Sequence, residues 1–531
     1  MESIANKLNT RLSLYLIFFL CAILLIFDPL IMDEVLPFID SYIHAEKVGR
    51  GLDSGFSLTE PYYFGPVFHI IVAAISLITG FSVLDSLRFF TFIMRISMVL
   101  VVYLLSKNFL NSKVAILSVI TASCVVEFIW PIPQALATIF LAMVVYNVYS
   151  FEKSQKFRYL ILGYVFVLLI CFLHLIVTIA CFSVFFLYSG IKIVSKKNFS
   201  YIMPILLICS SYLIVWEATE GQDWKENINP RSEPPEYIAL IGSILCYLFL
   251  FLLYIIRDKF LPFLRGFINY TEHYNPHKTS LKYFTLTYIV GMLAISFGLY
   301  YVPAYPEINL FAYFLMTLTV VILVIFSGSG ISFMLREKNY FLAVWIITVN
   351  FMLFFSILGA GKFGLLLVRS LYVALIPVTI AATYYFSKLD YRPVLVLLVV
   401  LIVFSFTNIP HINFEGVENQ RFDPNEEKAA QFLSNLSENQ KIATDYRLHS
   451  LFRYYHENVT IKPSIYFDMN VSELESIDYI VFSKSYVDYG VVKDVSGPVK
   501  RIESNLTDNW DSEYMFTLYY SNDYVEIWKV H

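Results

Sequence analysis

Apolar runs long enough to cross a bilayer recur from Leu12 to Ile409, each broken by a short polar stretch. From Pro410 to His531 the pattern gives way to mixed-charge sequence of the kind that faces water. The pattern predicts a mainly α-helical polytopic membrane region over residues 1–409 and a small external α/β domain over 410–531. Spans are expected near 12–32, 90–106, 114–130, 134–151, 159–175, 176–194, 200–217, 237–256, 283–303, 308–328, 340–358, 365–386 and 393–409, about thirteen in all.

Loops rich in Lys and Arg orient these spans, because such loops stay in the cytoplasm. They hold Lys107 and Lys113; Lys153, Lys156 and Arg158; Lys192, Lys196 and Lys197; Arg257 to Lys282; Arg336 and Lys338; Lys388 and Arg392. The alternation works with the N-terminus inside and the tail outside. One apolar run, Phe64 to Leu84, does not fit, since a crossing there would put the Lys107 and Lys153 loops outside. It reads as a helix along the outer leaflet, the alternative being an ordinary span with an imperfect charge bias. Residues 33–89 then form one long external loop. The first run is too long for a signal-peptide core and lacks a small-residue cleavage site, so it is expected to be retained.

Composition narrows the partners. The chain is 58% hydrophobic and only 15% charged, and its net charge of −4 comes with no basic face interleaved with aromatics. That argues for the lipid bilayer as a partner and against nucleic acid. All six cysteines lie in or beside apolar runs, which suggests neither a disulfide framework nor a cysteine metal site.

The first external loop carries the most chemistry. Asp33 and Glu34 stand side by side where the chain first leaves the membrane. A carboxylate there is placed to take a proton from an incoming hydroxyl or to hold a cation, while the plainer account is a solvated polar edge. Pro37 suits a first helical turn and Gly49 and Gly51 suit a helix end, so the spacing predicts a short helix over 37–48. Ile39, Tyr42 and Ile43 make an apolar stripe on it and Asp40, His44 and Lys47 a polar one, so the helix should lie flat on the membrane.

The order of these features resembles the GT-C superfamily of membrane glycosyltransferases, near its protein O-mannosyltransferase-like and lipid A aminoarabinose transferase-like members. An Asp-Glu pair follows the first span, then a short amphipathic helix, then "YYFGPVFHIIVAAISLITGFS" as a second surface helix, then "VLDSLRFF" opening the next span. The likeness is sharpest over residues 31–95 and only architectural afterwards. It implies that Asp33 is the catalytic acid or base with Glu34 beside it. It also implies that the donor is a sugar on a polyprenyl phosphate in the outer leaflet and that the acceptor, whether protein, lipid or glycan, is external. Relatives often have two prolines where this chain has Gly65 and Pro66. Asp40 and His44 fall outside the motif and are supporting candidates for the catalytic set.

Further candidates for substrate binding are scattered. Glu127 lies at the next external turn, where relatives carry another acid; it equally well ends a span. The related oligosaccharyltransferases use further acids for a metal, and one glutamate weighs against metal dependence, leaving a divalent cation open. His69 stands near the start of the second surface helix, and His174 at an external helix end in apolar surroundings. Arg88 and Arg95 share one face of the second span, and Arg369, with Lys362 nearby, lies at the outer end of a late span. A guanidinium fork suits a bidentate phosphate contact, with snorkelling to the headgroups as the alternative. Glu307 reads as a solvated loop acid.

In the tail, the stretch from Asp423 predicts an amphipathic helix, a strand at "KIATD" and a second helix, and "IDYIVFSK" and "DYVEIWKV" read as strands. It has no Gly-rich phosphate loop and no nucleophile elbow, which favours acceptor binding or stability over chemistry. Asn-x-Ser/Thr triplets begin at Asn435, Asn458, Asn470 and Asn505, but also at Asn198 and Asn269 in loops expected inside. Two other classes compete with the glycosyltransferase reading. A transporter should show internal repeats, and none is visible. A non-catalytic envelope-polymer assembly protein would tolerate loss of every external acid.

Overall fold

The computed structural model describes residues 39–56, 66–123, 132–196, 199–218, 238–263, 326–335, 340–358, 364–389, 422–435, 439–461, 476–484 and 516–531, together with Tyr15, Gly266, Leu323, Glu337, 491–492 and 500–501. The first helix, α1 (Ile39–Ser54), is followed by α2 (Val67–Thr79) and α3 (Val83–Phe109). Then come α4 (Ser112–Ser123), α5 (Pro133–Ser154), α6 (Phe157–Leu173), α7 (Leu175–Lys196), α8 (Met203–Ala218), α9 (Ile238–Ile255), α10 (Tyr340–Leu358) and α11 (Gly364–Phe386).

Among the described residues α3, α5 and α7 are long and apolar enough to cross a membrane, and α9 with the short helix Arg257–Phe263, bent from it by 77°, would make a fourth crossing. The Ser82 hydroxyl accepts the Asp85 amide at 3.1 Å and so caps α3, which starts about two turns before the expected 90–106. At 1.5 Å per residue α3 is about 40 Å long. Its inner face buries Leu87, Met94, Met98 and Leu105, while Phe89, Ile93 and Leu100 point outward, as on a helix that meets hydrocarbon. Helix α2 has 13 residues and stops at Gly80, whose left-handed backbone returns its N–H to Ser76 O at 2.8 Å. Its length of about 20 Å falls short of the roughly 30 Å hydrocarbon core. The expected spans at 134–151, 159–175, 176–194, 340–358 and 365–386 coincide within a few residues with α5, α6, α7, α10 and α11. Those at 283–303 and 393–409, and nearly all of 12–32 and 308–328, lie outside the described residues.

Among the described residues, the basic loops at 107–113, 153–158, Lys192 and Lys388 gather at one end of the bundle. Asn108 donates to Ser150 Oγ at 3.2 Å, joining the ends of α3 and α5. The Glu152 carboxylate accepts from the Tyr188 hydroxyl at 2.6 Å and pairs with Lys192 at 3.3 Å, bringing in α7. Phe341 of α10 stacks on Tyr188 with ring centroids 4.0 Å apart. Lys113 donates to the Ser387 carbonyl at 3.3 Å just past α11, and Lys388 pairs with Glu337 at 3.0 Å. From this end α6 runs back for 17 residues, about 26 Å, to His174.

One expectation for the first loop is corrected. Helix α1 does not end at Gly49 or Gly51 but runs from Ile39 to Ser54, and its end is Gly55 with φ +89°. Gly51 is needed for another reason: a Cβ there would run into the Phe56 ring, which folds back over the last turn.

The tail forms a five-stranded sheet with helices α12 (Pro424–Ser434) and α13 (Tyr446–Tyr455). Strands β1 (Ile442–Thr444), β2 (Val459–Ile461) and β3 (Tyr479–Ser483) pair in parallel in the order β2-β1-β3. A separate pair is β4 (Val491–Val492) with β5 (Lys500–Arg501), and the main sheet is completed antiparallel by β6 (Phe516–Ser521) and β7 (Val525–Val530), in the order β3-β7-β6. Asp423 accepts the Asn425 amide at 2.8 Å while Glu426 reaches back to the Asp423 amide at 2.9 Å, a capping box that fixes where α12 starts. Both expected helices and the strands at 442, 479 and 525 are present; β2 and β6 were not anticipated.

Candidate functional site

Helix α1 is held from several sides: by α2, by the start of α3 and by the tail helix α13. The polar stripe expected to face water is turned inward instead. His44 is 1% exposed, and its Nδ1 lies 3.0 Å from Nε2 of His69 on α2, which is itself fully buried. One ring donates and the other accepts, so a single shared proton satisfies the contact. Phe68 covers the pair, its centroid 5.5 Å from that of His44. Lys47, one turn along α1, is buried beside them, and His174 approaches from the break between α6 and α7, where it sits in extended backbone with 3% exposure. Burial, then His69, Lys47 and His174, hold His44 well below the ordinary histidine value. Burial and Lys47 bring His69 down to about 3. Both rings are therefore neutral at neutral pH, because a proton there would be desolvated beside other cationic groups.

Tyr42, of the expected apolar stripe, faces the tail. Tyr42 is buried against the tail, its ring 5.1 Å from Phe422 and 6.1 Å from Tyr454, and its hydroxyl donates to Glu427 Oε2 at 3.5 Å. The other oxygen of Glu427 takes the Tyr455 hydroxyl. Glu46, on the next turn of α1, receives both Arg50 and, at 2.9 Å, Arg453 of α13. Burial, then Glu427 and Asp85, push the Tyr454 phenol up to about 12, which puts the first turn of α3 at the same junction. The flat-lying helix of the sequence reading is thus a helix clamped between bundle and tail. The reason is that the acids and tyrosines which look like a solvated face meet complementary partners nearly four hundred residues away.

The sequence candidates separate into three groups. His44, His69 and His174 come together, with Lys47. Arg88 lies in the first turns of α3 and is bonded to Asp85 at 2.9 Å, a carboxylate also held by the Ser82 hydroxyl at 2.7 Å, so its charge is partly compensated. Arg95, deeper in α3, is buried. Asp33, Glu34, Glu127 and Lys362 lie outside the described residues, as do the side chains of Asp40, in the first turn of α1, and Arg369, in α11. Glu46, Asp85, Glu427 and Arg453 were not singled out from the sequence, and Tyr42 stood out only as part of the apolar stripe. Among the described residues no group of three or more His, Cys, Asp or Glu side chains is arranged to hold a metal ion.

No family model matches the chain, and no curated protein matches it in sequence. The fold does have solved counterparts. The oligosaccharyltransferase of Archaeoglobus fulgidus in its apo form aligns over 98% of this chain and 74% of that one, with 12% identity and a TM-score of 0.59. The same archaeal enzyme, AglB, in complex with an inhibitory peptide and a dolichol-phosphate, aligns over 96% of this chain and 73% of that one, with 10% identity and a TM-score of 0.57. ArnT from Cupriavidus metallidurans bound to undecaprenyl phosphate covers 99% and 98% of the two chains at 9% identity, but its TM-score of 0.42 adds nothing to the assignment. The chain therefore has a GT-C-like fold, as the resemblance at residues 31–95 implied.

Proposed function

We propose that this chain is a membrane glycosyltransferase that moves a sugar from a polyprenyl-phosphate donor to an acceptor on the outer face of the membrane. The observation that carries the reading is the likeness to oligosaccharyltransferase over 98% of the chain. The Asp33-Glu34 pair, six residues ahead of the clamped helix α1, supports it. In this reading the Asp33 carboxylate takes the proton of the acceptor hydroxyl, whose oxygen attacks the anomeric carbon as the bond from that carbon to the phosphate oxygen breaks. The polyprenyl phosphate leaves with the bonding electrons, and a cationic side chain stabilises the charge it gains. Arg88, whose guanidinium also answers Asp85, and Arg369 are the candidates for that task. A divalent cation bound by acids outside the described residues would serve the same purpose.

The test compares membranes from a deletion strain complemented with wild type or with Asp33→Asn, reading glycans and lipid-linked sugars by mass spectrometry. Asp33→Asn keeps the shape and removes the charge, so one lipid-linked sugar should accumulate and one glycosylated product disappear, with expression unchanged. Normal product with Asp33→Asn, Glu34→Gln and Asp40→Asn alike would end the enzyme reading.

A further inference from the structure

The contacts between α1 and the tail span the chain from Tyr42 to Arg453, and they are chemically specific rather than a shared apolar face. Glu46, with a side chain 14% exposed, accepts Arg453 Nε at 2.9 Å while also holding Arg50 of its own helix. Glu427 is buried and accepts two tyrosine hydroxyls, Tyr42 from the loop and Tyr455 from the tail. Tyr454 packs against Tyr42 and feels Asp85 at the head of α3. On its other side the same short helix rests on α2 through the His44–His69 contact at 3.0 Å. Helix α1 is thus fixed in rotation: a turn of the helix about its axis that kept one set of contacts would break the other. Its N-terminal end lies six residues from Asp33.

From this geometry we infer that the tail is a latch on the first external loop, with Glu46, Arg453, Tyr42 and Glu427 as positioning residues that hold α1, the helix that follows Asp33 by six residues of sequence, in register for transfer. The latch rests on the glycosyltransferase reading only for its effect on transfer; the contact itself is tested without it. A buried or half-buried charged hydrogen bond is the type of contact whose loss frees a docked helix, because the remaining partner is left desolvated. The tail then acts on the reaction without touching donor or acceptor.

The experiment uses the full chain in detergent and in native membranes. Hydrogen–deuterium exchange over residues 39–54 should rise about tenfold in Glu46→Gln and in Arg453→Gln, the size expected for losing one charged hydrogen bond. The double variant should be no worse than Glu46→Gln alone, which already removes the Arg453 contact together with that to Arg50. Arg453→Lys, which keeps the charge, should restore most of the protection. Lys484→Gln breaks an ion pair to Glu526 inside the tail and should leave residues 39–54 as they were. Initial rates of transfer from the membrane's own lipid-linked sugar pool should fall with exchange and recover in Arg453→Lys. Unchanged exchange in both Gln variants overturns the latch. Raised exchange with an unchanged rate overturns the positioning role. Transfer that survives Asp33→Asn removes the catalytic reading instead, and the exchange results still decide the contact.

Discussion

At the scale of single residues, the three histidines show what spacing conveys and what it hides. His44 stood out on a polar stripe, His69 at the start of a surface helix and His174 in apolar surroundings, but their meeting did not: His44 and His69 are 25 residues apart, and His174 arrives from another helix. The contact that the structure shows for His44 is with His69 on α2. Local periodicity reports which residues share a face and says nothing about what that face meets. The pair makes a pH prediction. A histidine whose folded value is lowered leaves the folded state neutral, so its stabilisation is complete above about pH 6.5 and is lost as the unfolded state takes up protons below it. For His69, lowered to about 3, the loss continues down to about pH 3. At pH 5 it amounts to about 2 kcal/mol. His69→Gln keeps a hydrogen-bonding group and does not titrate. Thermal unfolding in detergent should therefore fall less between pH 7.5 and pH 5 in this variant than in wild type, and equal falls would refute the neutral buried pair.

At the scale of elements, α5, α6, α7, α10 and α11 were legible to within a few residues, because burial in hydrocarbon and burial in protein demand the same composition over the same length. Ends set by glycine were not. Gly49 and Gly51 carried the sequence signal for a helix stop, yet the stop falls at Gly55, the position with positive φ. A glycine marks either a left-handed backbone or a close approach, and only the fold says which. The two readings separate on substitution. At Gly49 an added Cβ meets nothing within 4 Å, so Gly49→Ala should gain up to about 1 kcal/mol from helix propensity. At Gly51 the Cβ runs into the Phe56 ring, so Gly51→Ala should cost about 1–2 kcal/mol despite the same propensity gain. Melting temperatures of the two variants should move in opposite directions; two rises would mean that Phe56 swings away without penalty. In the tail, β2 went unseen because it buries only Val459 and exposes Thr460, and β6 because its middle is exposed, so neither shows the buried run by which β1 and β3 were recognised.

At the scale of the whole molecule, the positive-inside argument and the fold were obtained independently and bear on one another. The charge rule assigned the loops at Lys107, Lys153, Lys192 and Lys388 to one side of the membrane from composition alone. The bundle brings those loops to one end through Asn108–Ser150, Lys192–Glu152, Lys113–Ser387 and Lys388–Glu337. Helix α6 leads from Lys156 at that end to His174 beside His44 about 26 Å away, close to the thickness of a hydrocarbon core. If the basic end is cytoplasmic, the clamped helix α1, the histidine cluster and the tail latch all face outward, where a sugar on a lipid phosphate and an external acceptor would meet. The alternative, with the Val67–Thr79 helix as a crossing, would have to separate the start of α3 from α1 by a bilayer, yet α1 packs against both α2 and α3. Cysteines introduced singly at position 155, in the exposed turn between α5 and α6, and at position 50, on the exposed edge of α1, test this directly. In sealed right-side-out vesicles a membrane-impermeant maleimide should label position 50 and reach position 155 only after permeabilisation. Labelling of 155 from outside would invert the bundle, and with it the side on which Asp33 could meet its substrates.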